Sequence, residues 1–301
     1  MRLYNTILIG AGKIGLGNDV YKKYRSHLYT LAKDRNINLV AVIDNDKKKL
    51  KKISKKYDYY FFNKIEDARH HEVDLAVIST PTKTHYKVIM ECLKNLKLKI
   101  ILVEKPLGGD LKKAKLIKNL AKKKKVKIFV NYMRLSLPVT SLLKDILKKK
   151  NIIGNVLYSN GLINNGSQFI NLCIYLFGKI HRIKIIRKKI LNKFDLNSSF
   201  ILFFRTAQIK FNFENSKKNY HYIKLISKNF SIYWEKSKKI ELTRKLSKKL
   251  KTFKLETQLD KYQYLVLKNL KLSFQNRKFR LCSIDDCIKT LVVIKKIQNQ
   301  K

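Results

Sequence analysis

Acidic residues are scarce in this chain: 21 Asp and Glu stand against 68 Lys and Arg in 301 residues, a formal charge of +47. Proline and glycine are also scarce, at three and ten, and they gather with serine nowhere. A flexible linker is therefore excluded, and at roughly 150 residues per domain the length suits two domains in close succession. Four cysteines lie scattered at Cys92, Cys173, Cys282 and Cys287, with no histidine cluster beside the one close pair. That spacing argues against a disulfide framework or a zinc site and fits buried thiols of a cytoplasmic protein. No run approaches the roughly 18 apolar residues of a membrane span, so no membrane partner is expected. The opening MRLYNTILIG has no small-residue cleavage site and leads into a glycine motif. It is read as a first strand rather than a signal peptide.

What is present is a 45% apolar fraction, which is enough to fill a core despite the charge. A basic chain raises the question of nucleic acid, since lysines that neutralise phosphates release counterions. Here the lysines occupy every segment, for example 47–49, 112–118, 122–125, 148–150 and 245–251. Asn, Ile, Tyr and Phe are abundant beside them, as in a general compositional bias. No specific nucleic-acid partner is expected, and like charges at this density make stability sensitive to salt.

Continuous apolar or β-branched runs at 6–9, 38–43, 74–79, 99–103 and 126–130 alternate with lysine-rich amphipathic stretches at 26–33, 47–56, 84–94 and 111–124. Strands without polar alternation are covered on both faces, and crossovers of this length join parallel strands. The first domain, residues 1–135, is thus predicted to be an α/β doubly wound parallel sheet of Rossmann type. After Pro138 the pattern changes: helices are predicted at 140–149 and 167–177, the latter stopped by Gly178, with strand-like runs at 156–160, 181–190, 199–205, 208–213, 220–226 and 231–235. Helical periodicity returns at 259–270 and 284–297. Residues 136–301 therefore read as an α+β domain with a mostly antiparallel open sheet.

Gly10-Ala11-Gly12-Lys13-Ile14-Gly15 fits G-x-G-x-x-G directly after a strand, where glycines let backbone N–H groups approach a pyrophosphate. The next helix is expected only near Ser26, after an insertion at 16–25. Asp44 ends the second strand, where a carboxylate accepts from ribose hydroxyls and repels a 2′-phosphate. NAD is accordingly favoured, while Lys47, Lys48 and Lys49 leave NADP open. Ser79-Thr80-Pro81-Thr82-Lys83-Thr84-His85 follows the third strand and Glu104-Lys105-Pro106 the fourth, both at ends where open α/β sheets bind ligands. Trp234 reads as core.

Taken together, GAGKIG, VAVID, STPTKTH, VEKPLGG, VNYMR at 130–134 and NNGSQFINLCIYLFG resemble the Gfo/Idh/MocA family, named for glucose-fructose oxidoreductase and inositol dehydrogenase. The resemblance runs from Ile7 to about Gly178. It implies an NAD(P)-dependent oxidoreductase of a sugar, sugar nucleotide or cyclitol, oligomeric through the open face of the second sheet. Gly10, Gly12, Lys13, Ile14, Asp44, Ser79, Thr80, Pro81, His85, Glu104 and Lys105 would hold the cofactor. Lys105 would also sit between nicotinamide and substrate as the catalytic residue, with Arg134, Asn164 and Gln168 binding the substrate beside it. The NNGS surroundings resemble members associated with bacterial surface-polysaccharide sugars.

One departure concerns the proton. The family's second-domain motif, D-x-G-x-H-x-x-D, reads here as Asn164, Gly166, Gln168 and Asn171. An amide orients a hydroxyl but exchanges no proton near neutral pH, so Gln168 is no general acid or base. Three readings stay open at this point: Lys105 moves the proton itself, the chain is a catalytically inactive nucleotide-binding or scaffold subunit, or the chemistry differs, as in a reaction that reduces and reoxidises the cofactor within one turnover.

Overall fold

The computed structural model describes residues 2–16, 26–107, 111–192, 195–214, 220–235, 239–246 and 249–300. The chain divides into two compact units, Met1–Ser136 with Asp260–Ile288, and Leu137–Leu259 with Lys289–Lys301. A single cut at 135/136 assigns 260–288 to the second unit. In the structure that segment packs with the first, because its apolar face completes the first core.

In the first unit, parallel strands β1 (Tyr4–Ile9), β2 (Ile37–Ile43), β3 (Tyr60–Phe62), β4 (Leu75–Ile78), β5 (Ile100–Val103) and β6 (Lys127–Val130) are joined by β15 (Cys282–Ser283), which runs antiparallel to β6. Their order is β15-β6-β5-β4-β1-β2-β3. The inner strands β4 and β5 are LAVI and IILV with every residue buried, as strands covered on both faces must be. The covering helices are α1 (His27–Ala32), α2 (Lys47–Ser54), α3 (His85–Asn95) and α4 (Leu111–Lys123), with α7 (Tyr262–Phe274) from the C-terminal segment. Local chemistry starts the helices where polar side chains meet free backbone N–H groups: Ser26 Oγ accepts from Tyr29 N at 3.3 Å and Asp46 Oδ1 from Lys49 N at 3.0 Å. Val266, Leu267 and Leu270 of α7 enter the cluster formed by Tyr4, Leu8 and Leu31, and Phe274 stacks on Tyr4 with ring centroids 4.2 Å apart.

The second unit is built on eight strands among the described residues: β7 (Ile152–Tyr158), β8 (Ile180–Ile190), β9 (Leu196–Phe204), β10 (Ala207–Phe213), β11 (Tyr222–Ser227), β12 (Phe230–Glu235), β13 (Ile240–Leu246) and β14 (Lys249–Leu255). They lie in the order β14-β13-β12-β11-β7-β10-β9-β8, antiparallel except for the pair β7 and β10. One face is core, with Phe200 stacked on Phe211 at 4.6 Å and Tyr158 edge-on to Phe211. Helices α5 (Pro138–Leu147) and α6 (Ser167–Phe177) belong to this unit, as does the larger part of α8 (Ile284–Asn299). Trp234 is buried in β12. Among the described residues no helix is long and apolar enough to cross a membrane, and no group of three or more His, Cys, Asp or Glu could hold a metal.

Candidate functional site

In the first unit β1 has β4 on one side and β2 on the other, so the strand order reverses there. At such a point the loops leaving adjacent strands part and open a crevice. The loop after β1 carries Gly10–Gly15 and the loop after β4 carries Ser79–Thr84. They are locked together: Ser79 Oγ donates to Gly10 O at 2.8 Å, and Gly10 has φ +100°. A Cβ at Gly10 would stand 2.7 Å from Thr80 N, and one at Gly15 would stand 2.0 Å from Gly10 O. A Cβ at Gly12, by contrast, would meet nothing within 4 Å among the described residues. Lys13 and Ile14 lie exposed on the turn. Glycine at 10 and 15 is needed for the turn itself, and at 12 it keeps space open above it. Residues 17–25 of the expected insertion lie outside the described residues. Helix α1 begins at His27 and spans six residues.

Asp44 follows β2, and its carboxylate already has backbone work. Oδ2 accepts from Ala11 N at 2.7 Å and from Lys49 Nζ at 3.2 Å, and Oδ1 accepts from Asp46 N at 3.0 Å. It thereby anchors the glycine turn. With two lone pairs on each oxygen, one on Oδ1 is still available to a ribose hydroxyl, and the carboxylate charge opposes a 2′-phosphate. The expected result is tighter binding of NAD(H) than of NADP(H), with Asp44→Ser narrowing or reversing the preference in a fluorescence titration of both reduced cofactors. An unchanged ratio would mean that Asp44 acts only on the turn.

His85 departs from its expected place against the cofactor. It is fully buried at the start of α3, with Nδ1 2.9 Å from Pro106 O and Nε2 2.8 Å from Thr80 O. Both nitrogens face backbone carbonyls, one from the STPTKTH loop and one from the EKP loop, and the neutral ring donates to one of them while packing against the other. Thr80 Oγ1 in turn bonds Thr84 Oγ1 at 2.9 Å, and Pro81 leads into a short 3-10 turn. Burial holds the His85 pKa below the ordinary histidine value, outweighing the two carbonyls and the Glu104 charge. As pH falls through the ordinary value the unfolded chain takes up a proton that the folded ring refuses. Stability should therefore drop from about pH 6.5 down to the lower folded pKa. Urea unfolding followed against pH should show this slope in the wild type and a shallower one in His85→Gln.

Glu104 and Lys105 leave the C-terminal end of β5. Glu104 Oε1 accepts from Asn131 Nδ2 at 2.6 Å, His27 Nε2 at 2.9 Å and Gln263 Nε2 at 3.4 Å. Burial pushes its pKa up, but the His27 hydrogen bond and charge and the two amide donors outweigh burial and hold it below the usual carboxylate value. Lys105 is half-buried. Desolvation lowers its pKa, Glu104 opposes that, and Arg134 adds to it, with a net value below the usual lysine range. Arg134 is buried in the turn after β6, its pKa lowered by burial to about 10. Glu104, Lys105 and Arg134 thus form one electrostatic cluster at the strand ends.

In the second unit Asn164 and Gln168 fall where β7 gives way to α6. Asn164 lies exposed in a π-type turn, Leu162–Gly166, and Gln168 half-buried in the first turn of α6. Asp195 holds this turn from across the unit. Its Oδ1 accepts from Ile163 N at 2.9 Å and its Oδ2 from Asn164 N at 3.1 Å. Gly161 makes room for it at φ +92°, since a Cβ there would stand 2.1 Å from Asp195 Oδ2. Asn171, in the second acidic position of the motif, is buried with its amide on Thr290 Oγ1 at 3.0 Å.

Residues 4–132 match the Gfo/Idh/MocA family, described as an oxidoreductase family with an NAD-binding Rossmann fold. The chain's N-terminal domain belongs to the Gfo/Idh/MocA oxidoreductases. Over nearly its whole length the chain shares its fold with solved structures. The dehydrogenase MviM of Clostridium difficile is 19% identical, with 98% of this chain and 99% of that one covered and a TM-score of 0.78. An oxidoreductase of Agrobacterium radiobacter in complex with NAD+, L-tartaric acid and magnesium is 12% identical, with coverage of 99% and 97% and a TM-score of 0.76. KijD10, a 3-ketoreductase of Actinomadura kijaniata in complex with TDP-benzene and NADP, is 14% identical, with coverage of 99% and 98% and a TM-score of 0.78. No curated protein matches the sequence.

The residues present fit the cofactor of a Gfo/Idh/MocA domain. Gly12 leaves open the volume above the turn that a pyrophosphate would take, and Asp44 stands at the end of β2 with acceptor capacity to spare. Sequence reasoning missed His27, Gln263 and Asp195, and assigned no role to Asn131 although it lies inside VNYMR. Asp195 faces a motif that was found, but nothing in the linear chain marks Gln263, which lies 159 positions from Glu104.

Proposed function

We propose that the chain is an NAD(P)-dependent oxidoreductase that moves a hydride between nicotinamide C4 and a carbon of a sugar, sugar-nucleotide or cyclitol substrate, with NAD favoured. The observation that carries this reading is Lys105, a half-buried lysine directly after a glutamate held by three N–H donors, at the C-terminal end of β5 and two strands from the glycine turn that follows β1. A nicotinamide held there would supply or accept the hydride. In reduction the Lys105 ammonium donates a hydrogen bond to the carbonyl oxygen and gives up its proton as alkoxide character develops. In oxidation the neutral amine takes the hydroxyl proton. A lowered pKa raises the share of the neutral amine at any given pH, which favours proton exchange with the reacting oxygen. Arg134 adds positive potential to the same pocket. Asn164 and Gln168 bind and orient substrate hydroxyls without exchanging protons. The fold is shared with KijD10, solved with TDP-benzene and NADP, and with the Agrobacterium structure, solved with NAD+, so both nicotinamide cofactors occur on it.

The test is a thermal-shift screen with NAD, NADH, NADP and NADPH, followed by single-turnover nicotinamide absorbance with a panel of sugar nucleotides and cyclitols. A ligand bound to the folded state raises the melting temperature. Absorbance change with at least one substrate class is expected. Cofactor binding with no hydride transfer from any class would favour the nucleotide-binding or scaffold reading. We further propose a homo-oligomer through the open face of the second sheet. Ile153 of β7 is 69% exposed there and pairs across strands with Ile226 of β11, itself 44% exposed. Light scattering of the full chain and of Ile153→Lys reads this directly.

A further inference from the structure

His27 is a buried titratable group that the proposed chemistry does not use. It is the first residue of α1, and its backbone is pinned to the glycine turn by His27 N to Ile14 O at 3.2 Å and Leu28 N to Gly15 O at 2.8 Å. Its ring turns the other way, with Nε2 2.9 Å from Glu104 Oε1. A carboxylate only accepts, so Nε2 carries the hydrogen. The Gln263 amide, 3.1 Å from the same nitrogen, then donates to Glu104, while its own oxygen accepts from Asn131 Nδ2 at 3.1 Å. The carboxylate is thus held by three donors from three separate elements. Glu104 immediately precedes Lys105.

We infer that His27 is a positioning residue that, with Asn131 and Gln263, keeps Glu104 ionised beside Lys105, so that a buried network rather than the lysine's own exposure sets the protonation of the catalytic amine. The charged and titratable groups around this pair are His27 from α1, His85 from the start of α3, and Arg134 from the turn after β6. Arg134 and desolvation both favour the neutral amine, and Glu104 is the group that opposes them. Its charge is costly to bury and persists because three N–H donors meet it. Weakening those donors removes the support for the ammonium form. A network that only packed the fold would lower stability when cut and leave the lysine's titration where it was.

The experiment requires neither substrate nor cofactor, so it stands or falls apart from the hydride-transfer reading. The full chain is acylated with acetic anhydride from near-neutral to strongly alkaline pH, and modification of Lys105 is quantified by peptide mass spectrometry. Lys210, exposed on β10 in the second unit, serves as internal reference. Glu104→Gln should move the Lys105 midpoint down by about one pH unit, giving about tenfold more free amine at neutral pH. His27→Gln should move it in the same direction by less, and Asn131→Ala, which removes a different donor to the same oxygen, should do likewise. Circular dichroism identifies variants that fold, and Asn131→Ala carries the test should His27→Gln unfold. A Lys105 midpoint unmoved in folded His27→Gln, or unmoved in Asn131→Ala where His27→Gln does not fold, overturns the inference, and so does an equal shift at Lys210.

Discussion

Lys105→Ala is expected to lower single-turnover hydride transfer by about 10² to 10⁴-fold, the usual range for loss of a positioned general acid or base, with cofactor affinity nearly intact. What decides this is where the ammonium stands. In the proposed reaction the ammonium acts on the reacting oxygen, whereas the glycine turn and Asp44, on other strand ends, would hold the rest of the cofactor. Gln168→Ala should cost less, because an amide contributes orientation alone. Gln168→His places a proton-exchanging group at the motif position where the family has one, and a gain in rate would show that this position faces the substrate. Rates in wild type should fall as pH drops below a value under the ordinary lysine range in the oxidative direction, because the amine must be neutral to accept the hydroxyl proton. Turnover unaffected by Lys105→Ala would remove the lysine from the chemistry.

Gly10→Ala is expected to destabilise the first unit by roughly 2–5 kcal/mol, combining a non-glycine residue at positive φ with a Cβ forced against backbone. The obstructing atoms are Thr80 N at 2.7 Å and the Ser79 carbonyl carbon at 2.8 Å, neither of which can swing aside like a side chain. Urea denaturation of the variant should show a lowered midpoint, with NAD(H) binding lost even at temperatures where it is folded. Gly12→Ala is the companion. Among the described residues its Cβ meets no atom within 4 Å beyond its chain neighbours, so stability should stay within about 0.5 kcal/mol while cofactor affinity falls. Equal stability losses in the two variants would contradict the division of labour between these glycines.

The parallel sheet was legible in the chain because its inner strands are unbroken apolar runs, and such runs have one stable use, burial between two layers of helix. Helices α2, α3, α4 and α6 could be read from amphipathic spacing, and Gly178 marks the end of α6 at φ +85°. Strands β13 and β14 were not. KLKTFKL is almost wholly exposed, and what makes it a strand is pairing with β13, including Thr252 against Thr243 at 2.9 Å. An edge strand rich in lysine carries little burial pattern to read, although the same lysines discourage further pairing.

By itself the sequence determined which residues sit at strand ends: a glycine turn, an acid after the second strand, and a lysine after a glutamate, each within a few positions of its own apolar run. Local spacing suffices for that, because strand and turn are decided over short stretches of chain. Tertiary structure alone decided what those residues do to one another. His85 came to lie between two loops, and Asp44 became an anchor for the glycine turn. Asp195 became the cap of the segment bearing Asn164 and Gln168, and a glutamine from the C-terminal segment joined Glu104 beneath Lys105. The physical reason is that a buried polar group must find its partner wherever the fold brings one, and hydrogen bonds across 21 to 159 positions leave no periodicity in the chain that makes them.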